Sequence, residues 1–165
     1  MHEQQRFRVM AWWSAGRTGI AKSNAAPNVI HFTAPTVFGG LEGRWTPQDL
    51  LLCAVASCYT TTFSAVAEAA KFEYTDLQVE VEGSIVKTDG GYRFGEVFIR
   101  PELTIAVEHE RNRTGALDLL RKAEDRCMVG HTLAVERRFE PRVRVGEPRG
   151  GVGQALPLPD TERYA

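Results

Sequence analysis

Three cysteines, Cys53, Cys58 and Cys127, carry most of the chemistry available to this chain. A free thiol is a small buried hydrophobe, a metal ligand or, once ionised, a nucleophile whose reactivity follows its pKa. Cys53 and Cys58 share one helical stretch, Cys53-Ala54-Val55-Ala56-Ser57-Cys58-Tyr59. Five steps of about 100° place them about 140° apart around the axis, so they cannot bridge each other within the helix. Cys53 is expected to be a core filler. Cys127 closes an apolar stripe, beside Arg126 and ahead of Gly130. Backbone N–H groups at such a helix junction can lower a thiol pKa; the alternative role is packing.

Other chemistries have weaker support. Cys127 and His131 have ligand-like spacing, but structural zinc takes four ligands and no C-x-x-C or H-x-x-x-H pair is present. His31, His109 and His131 are scattered, with no G-x-S-x-G elbow to form a hydrolase triad. No G-x-G-x-x-G fingerprint indicates a nucleotide cofactor. Twenty basic residues against twenty-one acidic ones give a net charge of −1, which argues against a general nucleic-acid surface. An odd cysteine count behind a polar N-terminus does not suggest a secreted disulfide framework. A cytoplasmic protein with no membrane span is expected.

The elements that must position these thiols can be read from local pattern. At 165 residues, one domain over 1–145 is expected, with a loosely ordered Gly/Pro-rich tail at 146–165. Phe7, Val9, Ala11 and Trp13 alternate as a strand, and Gly16-Arg17-Thr18-Gly19 reads as a turn. Val29–Thr33 is a further strand. Thr46-Pro47-Gln48-Asp49 is a helix start: Thr46 caps, Pro47 suits the first position and Asp49 bonds back to the cap. The following stretch to Ala70 lacks Gly and Pro and is apolar on nearly all sides. It should be buried on nearly all sides, which a single small subunit cannot provide; this favours a dimer.

Leu77–Thr88 alternates, Asp89-Gly90-Gly91 is a hairpin turn, and Val97–Ala106 returns with Pro101 at a bulge or edge. Thr114 caps a second helix whose stripe runs through Leu117, Leu120 and Ala123 to Cys127. Gly130 breaks it, and Leu133–Val145 forms a final strand. The fold class is α+β, with antiparallel sheets packed on a long central helix and a second helix.

Pro47-Gln48-Asp49-Leu50 followed by Ala54-Val55-Ala56-Ser57-Cys58 resembles the helix signature of the OsmC/Ohr family, the osmotically inducible protein C and organic hydroperoxide resistance proteins. Ala123-Glu124-Asp125-Arg126-Cys127 is similar to that family's second-cysteine segment, and Gly16-Arg17-Thr18-Gly19 to its arginine turn. The resemblance spans residues 7–145 and keeps the element order. It implies an intertwined homodimer with two interfacial sites and thiol-based reduction of organic (alkyl or lipid) hydroperoxides. Cys58 is then the peroxidatic thiol and Cys127 the resolving one. Electrons come from an external dithiol, with no bound cofactor.

Arg17, always charged, suits a thiolate and a leaving oxygen. Phe38, Trp45 and Phe63 are candidate walls of an apolar substrate pocket. The chain departs from the family pattern at Gln48, where a glutamate usually pairs with the arginine, and at Met128, where a proline usually follows the second cysteine. Gln48 can accept from Arg17 but brings no charge. Ten residues of straight helix separate Gln48 from Cys58 by about 15 Å, so each site is expected to draw on two chains. The departures leave open a divergent small-molecule binder or redox sensor with little turnover.

Overall fold

The computed structural model describes residues 4–147, and 148–165 of the tail expected over 146–165 lie outside the described residues. Its contacts gather into two compact units that divide between Cys53 and Ala54.

The first unit is a three-stranded antiparallel sheet in the order β1 (Val9–Ala15), β2 (Thr18–Ser23), β3 (Val29–Thr33). β1 begins later than its alternation suggests, and both of its faces are exposed, with Trp13 76% accessible. Ala15 opposes Thr18, so the turn consists of Gly16 and Arg17 alone. Gly16 takes φ +52°, a left-handed conformation in which glycine carries no penalty. The Thr18 hydroxyl donates to the Ala15 carbonyl (2.7 Å) and Trp13 Nε1 donates to the Gly16 carbonyl (2.9 Å). A Cβ on Gly19 would lie 2.5 Å from the Phe32 ring and 2.6 Å from the Trp12 carbonyl. Only glycine lets Phe32 lie across β2.

Helix α1 (Pro47–Ala69) starts on the expected capping box. Thr46 Oγ1 accepts from the Asp49 N–H (3.2 Å), and Asp49 Oδ2 accepts from the Thr46 N–H (2.8 Å) and hydroxyl (2.7 Å). The helix is long and apolar enough to cross a membrane by length and composition, with mean hydropathy 1.7, which corrects the expectation that no segment could. Instead of burial on nearly all sides, a single chain covers one stripe, Val55, Tyr59, Phe63, Val66 and Ala67. Cys53, Ser57, Thr61 and Ala65 are exposed. Ser57, Thr60, Thr61 and Ser64 bond back to carbonyls of their own helix, a compact way to satisfy hydroxyls on an apolar helix. The helix ends in a Schellman arrangement, Phe72 N–H to Ala67 carbonyl (2.9 Å) and Lys71 N–H to Glu68 carbonyl (3.0 Å). Lys71 holds the left-handed position at φ 51°.

In the second unit, β4 (Asp76–Thr88) and β5 (Gly91–Ile105) form the expected hairpin around Asp89-Gly90. Gly95 is the extra residue of a bulge between the pairs Ser84–Glu96 and Ile85–Phe94. The final strand is two short ones, β6 (Glu136–Phe139) and β7 (Arg142–Val145), and both run parallel to β5, so the sheet is antiparallel only in its hairpin. Pro141 interrupts them. Pro101 is neither at an edge nor in a bulge: it pairs with Val79 on one side and faces the gap between β6 and β7 on the other.

Helix α2 (Arg113–Arg126) grows out of a 3-10 segment, Val107–Asn112, with Asn112 rather than Thr114 at the cap position. Gly130 does not stop the chain; it lies in a short helix, α3 (Met128–Thr132). Val97, Ile99, Leu103 and Ile105 of β5 form the unit's core with the α1 stripe and with Ala116, Leu120, Ala123 and Cys127 of α2 and its junction. Each large side chain removed from water there contributes roughly 1.5–3 kcal/mol.

Candidate functional site

The second unit brings together Cys58 and Cys127, thiols 69 residues apart in the sequence. Cys58 is half-buried on α1; Cys127 is buried at the α2–α3 junction, 1% exposed. Neither is in a disulfide. The junction does not depress the Cys127 thiol as the sequence suggested; it is pushed up to about 11. Burial is the main cause, because it disfavours the thiolate. The Gly130 N–H pulls the other way. The Cys58 sulfur, accepting from the Cys127 thiol, and the Glu124 carboxylate add to the rise. Cys127 therefore rests as a thiol directed at Cys58. Cys53 is exposed, not a core filler, because a helix apolar all round gives no sequence signal for which flank its own chain covers.

Tyr59, the neighbour of Cys58, is fully buried and donates to the Leu120 carbonyl at 2.9 Å, tying α1 to α2 beside the thiols. Its ring lies 5.9 Å from that of Phe139. Burial, then the charges of Glu124 and Cys127, push its phenol far above the ordinary range.

Three residues that sequence reasoning left without a role surround Cys127. Arg137 of β6 donates from Nη2 to His131 Nδ1 (3.2 Å), and His131 Nε2 lies 3.1 Å from the Glu124 carbonyl. Since guanidinium only donates and a carbonyl only accepts, His131 is fixed as the neutral Nε2–H tautomer. Arg137 Nη1 is buried and lies 3.6 Å from Glu124 Oε1, an ion pair without a hydrogen bond. A Cβ at Gly130 would lie 3.3 Å from both Arg137 Nη1 and Cys127 Sγ, so the missing side chain makes room for guanidinium and sulfur together. Glu124, one turn before Cys127, could have been noticed in the sequence; Arg137 carries no local signal.

Arg17 and Gln48 lie in the first unit. Arg17 donates from Nη1 to the Phe38 carbonyl and packs over Gly39, while its own carbonyl accepts from the Ala34 N–H at 3.0 Å. Gln48 Oε1 is buried and has no hydrogen-bond partner among the described residues. Asp49 is held by its cap, so it does not stand in for the family glutamate. Phe38 is half-buried in a 3-10 turn, Thr36–Phe38, and Trp45 is half-exposed, bridged to Phe32. Phe63 is fully buried, edge-on to Tyr74 at 5.3 Å. Two open clefts of about 460 and 430 Å³ share Phe72, Glu73 and His109 and take in neither thiol. Among the described residues no three His, Cys, Asp or Glu side chains gather as a metal cage.

Residues 40–140 match the family model described as OsmC-like protein. An uncharacterized protein of Bacillus subtilis (strain 168), YmaD, is 28% identical over 145 residues, covering 85% of this chain and 95% of its own length. A peroxiredoxin OsmC of Escherichia coli (strain K12) is 22% identical over 121 residues, 73% of this chain and 82% of the relative. Among solved structures, an organic hydroperoxide resistance protein OsmC from Legionella pneumophila superposes with a TM-score of 0.69 at 20% identity, over 87% of this chain and 99% of that one.

Proposed function

From its place in the OsmC-like protein family, to which this chain belongs, we infer that it is a thiol-dependent peroxidase acting on organic (alkyl or lipid) hydroperoxides. One observation carries this reading: Cys127, buried at the α2–α3 junction, directs its thiol at a more accessible Cys58. The similarity to a peroxiredoxin OsmC and to an organic hydroperoxide resistance protein supports the substrate class.

In the first step the Cys58 thiolate attacks the distal peroxide oxygen. The O–O bond breaks, the alcohol leaves with a proton, and Cys58 becomes a sulfenic acid. The Cys127 sulfur then attacks that sulfur, and the hydroxyl departs as water with the Cys127 proton. A disulfide forms, which an external cytoplasmic dithiol reduces; no cofactor takes part. Arg17 and Gln48 act on Cys58 of the partner subunit in an intertwined homodimer, and the uncovered flank of α1 and the exposed β1 are the surfaces such a dimer would cover. Phe38, Trp45 and Phe63 supply the apolar side of the site.

The test is consumption of an alkyl hydroperoxide in the presence of a dithiol. Cys58→Ser abolishes turnover, and Cys127→Ser permits one oxidation per chain but impairs recycling. Unchanged turnover in Cys58→Ser rejects the assignment. A second reading, a redox sensor with little turnover, is favoured by Gln48 Oε1, which has no partner among the described residues, and by the firmly held Cys127 proton. It predicts stoichiometric thiol loss without multiple turnovers.

A further inference from the structure

Tyr59 takes no part in the steps above, yet it follows the attacking thiol directly in the chain. Its fully buried ring packs 5.9 Å from that of Phe139 without help from the hydroxyl. A buried hydroxyl needs an acceptor, and the one it takes lies on the other helix: across 61 positions of sequence it donates to the Leu120 carbonyl at 2.9 Å. The charges of Glu124 and Cys127 both act on the phenol, which places it in their neighbourhood.

Leu120 and Cys127 are seven residues apart. Seven steps of about 100° return to within about 20° of the same face, and Leu120, Ala123 and Cys127 are all buried. The Tyr59 bond therefore fastens the face of α2 that leads to Cys127, about two turns ahead of it. Main-chain bonds carry the connection onward. The Cys127 N–H donates to the Glu124 carbonyl at 3.1 Å, and the His131 N–H to the Cys127 carbonyl at 3.0 Å. Both thiols thus hang on one frame, joined from α1 to α2 by a single side-chain hydroxyl.

The peroxidase reading makes that frame matter at one moment. A sulfenic acid on Cys58 either condenses with a thiol or is oxidised further to the sulfinic acid. The outcome follows how constantly the Cys127 sulfur is held in reach, because a well-placed intramolecular group outcompetes any solute and a small displacement forfeits much of that advantage.

We propose that the Tyr59 hydroxyl is a positioning group for disulfide formation: by fixing α1 to α2 at Leu120 it keeps Cys127 directed at Cys58, so that the sulfenic acid is captured before a second oxidant or nucleophile arrives. In that step the Cys127 sulfur bonds to the Cys58 sulfur, the S–O bond breaks, and the hydroxyl leaves as water with the Cys127 proton. The phenol exchanges no proton; it acts through the two helices.

This inference rests on the peroxidase reading, and its test is the branching of one intermediate. The full chain carrying Cys53→Ser, so that only the pair remains, is reduced and treated with one equivalent of tert-butyl hydroperoxide in the presence of dimedone. Dimedone bonds to a sulfenic sulfur with loss of water, and the products are counted by mass spectrometry. The parent should go chiefly to the Cys58–Cys127 disulfide. Tyr59→Phe keeps the ring and should raise the ratio of Cys58–dimedone adduct to disulfide about fivefold, the factor that corresponds to one buried hydrogen bond. Ile105→Val, a change of comparable stability cost in the core of β5, should leave the ratio at the parent value, which separates positioning from a mere loss of stability. An unchanged ratio in Tyr59→Phe, or an equal rise in Ile105→Val, would overturn the proposal. If the parent yields neither adduct nor disulfide at Cys58, the peroxidase reading itself falls, and this inference with it.

Discussion

The proton held on Cys127 should be measurable as stability. Its thiol is raised from an ordinary 9.0 to about 11. A folded pKa above the unfolded one means the folded state binds the proton more tightly. The resulting stability is therefore complete below pH 9 and is lost as pH rises through about 11. At about 1.36 kcal/mol per pH unit the full effect approaches about 3 kcal/mol, with about 2 kcal/mol gone by pH 11. The experiment is urea unfolding of wild type and Cys127→Ala under reducing conditions at pH 8, 9, 10 and 11. Removing the sulfur leaves a cavity whose cost does not depend on pH, and titrating groups that do not interact with Cys127 cancel in the difference. Tyr59 titrates above the window, so its phenol stays protonated in both proteins. The stability advantage of wild type over Cys127→Ala should shrink by about 2 kcal/mol from pH 8 to pH 11. A difference flat across the range would falsify the claim that burial against Cys58 and Glu124 holds this proton.

Two further substitutions probe the scaffold around the thiols. Tyr59→Phe removes a buried hydroxyl from the Leu120 carbonyl and should cost about 1 kcal/mol in denaturant unfolding without changing secondary structure by circular dichroism. Lys71→Gly replaces a side chain held at φ 51° and should raise stability by about 1 kcal/mol, seen as a higher Tm.

Features set by neighbouring residues were legible in the sequence. The Thr46–Asp49 cap, the Gly16-Arg17 and Asp89-Gly90 turns and the stripe ending at Cys127 each depend on contacts within a few positions, so residue order suffices. The return of β6 and β7 parallel to β5 depends on a partner about forty residues away, and the alternation of a strand does not encode which edge it joins. Pro141 was the available sign that Leu133–Val145 could not be one strand. Cys53 was misplaced for a different reason. A helix with apolar residues on every side has no polar stripe to mark its outward face, so composition promised burial that a single chain does not supply. The second ring around Cys127 was illegible because Arg137, His131 and Glu124 come from three elements and meet only once the sheet has closed over α2 and α3.

The same burial that makes Cys127 a reluctant nucleophile sets the order of the chemistry proposed for the pair. A buried thiol that keeps its proton does not compete with Cys58 for peroxide, and oxidants reach the more accessible sulfur first. Part of what holds the proton is Cys58 itself, through its sulfur as acceptor and its charge. Once Cys58 carries a sulfenic oxygen, that part of the hold is gone. What remains is burial and the Glu124 charge, which raise the thiol, against the Gly130 N–H, which lowers it. Part of the hold on the Cys127 proton is thus released by the very event that thiol must answer.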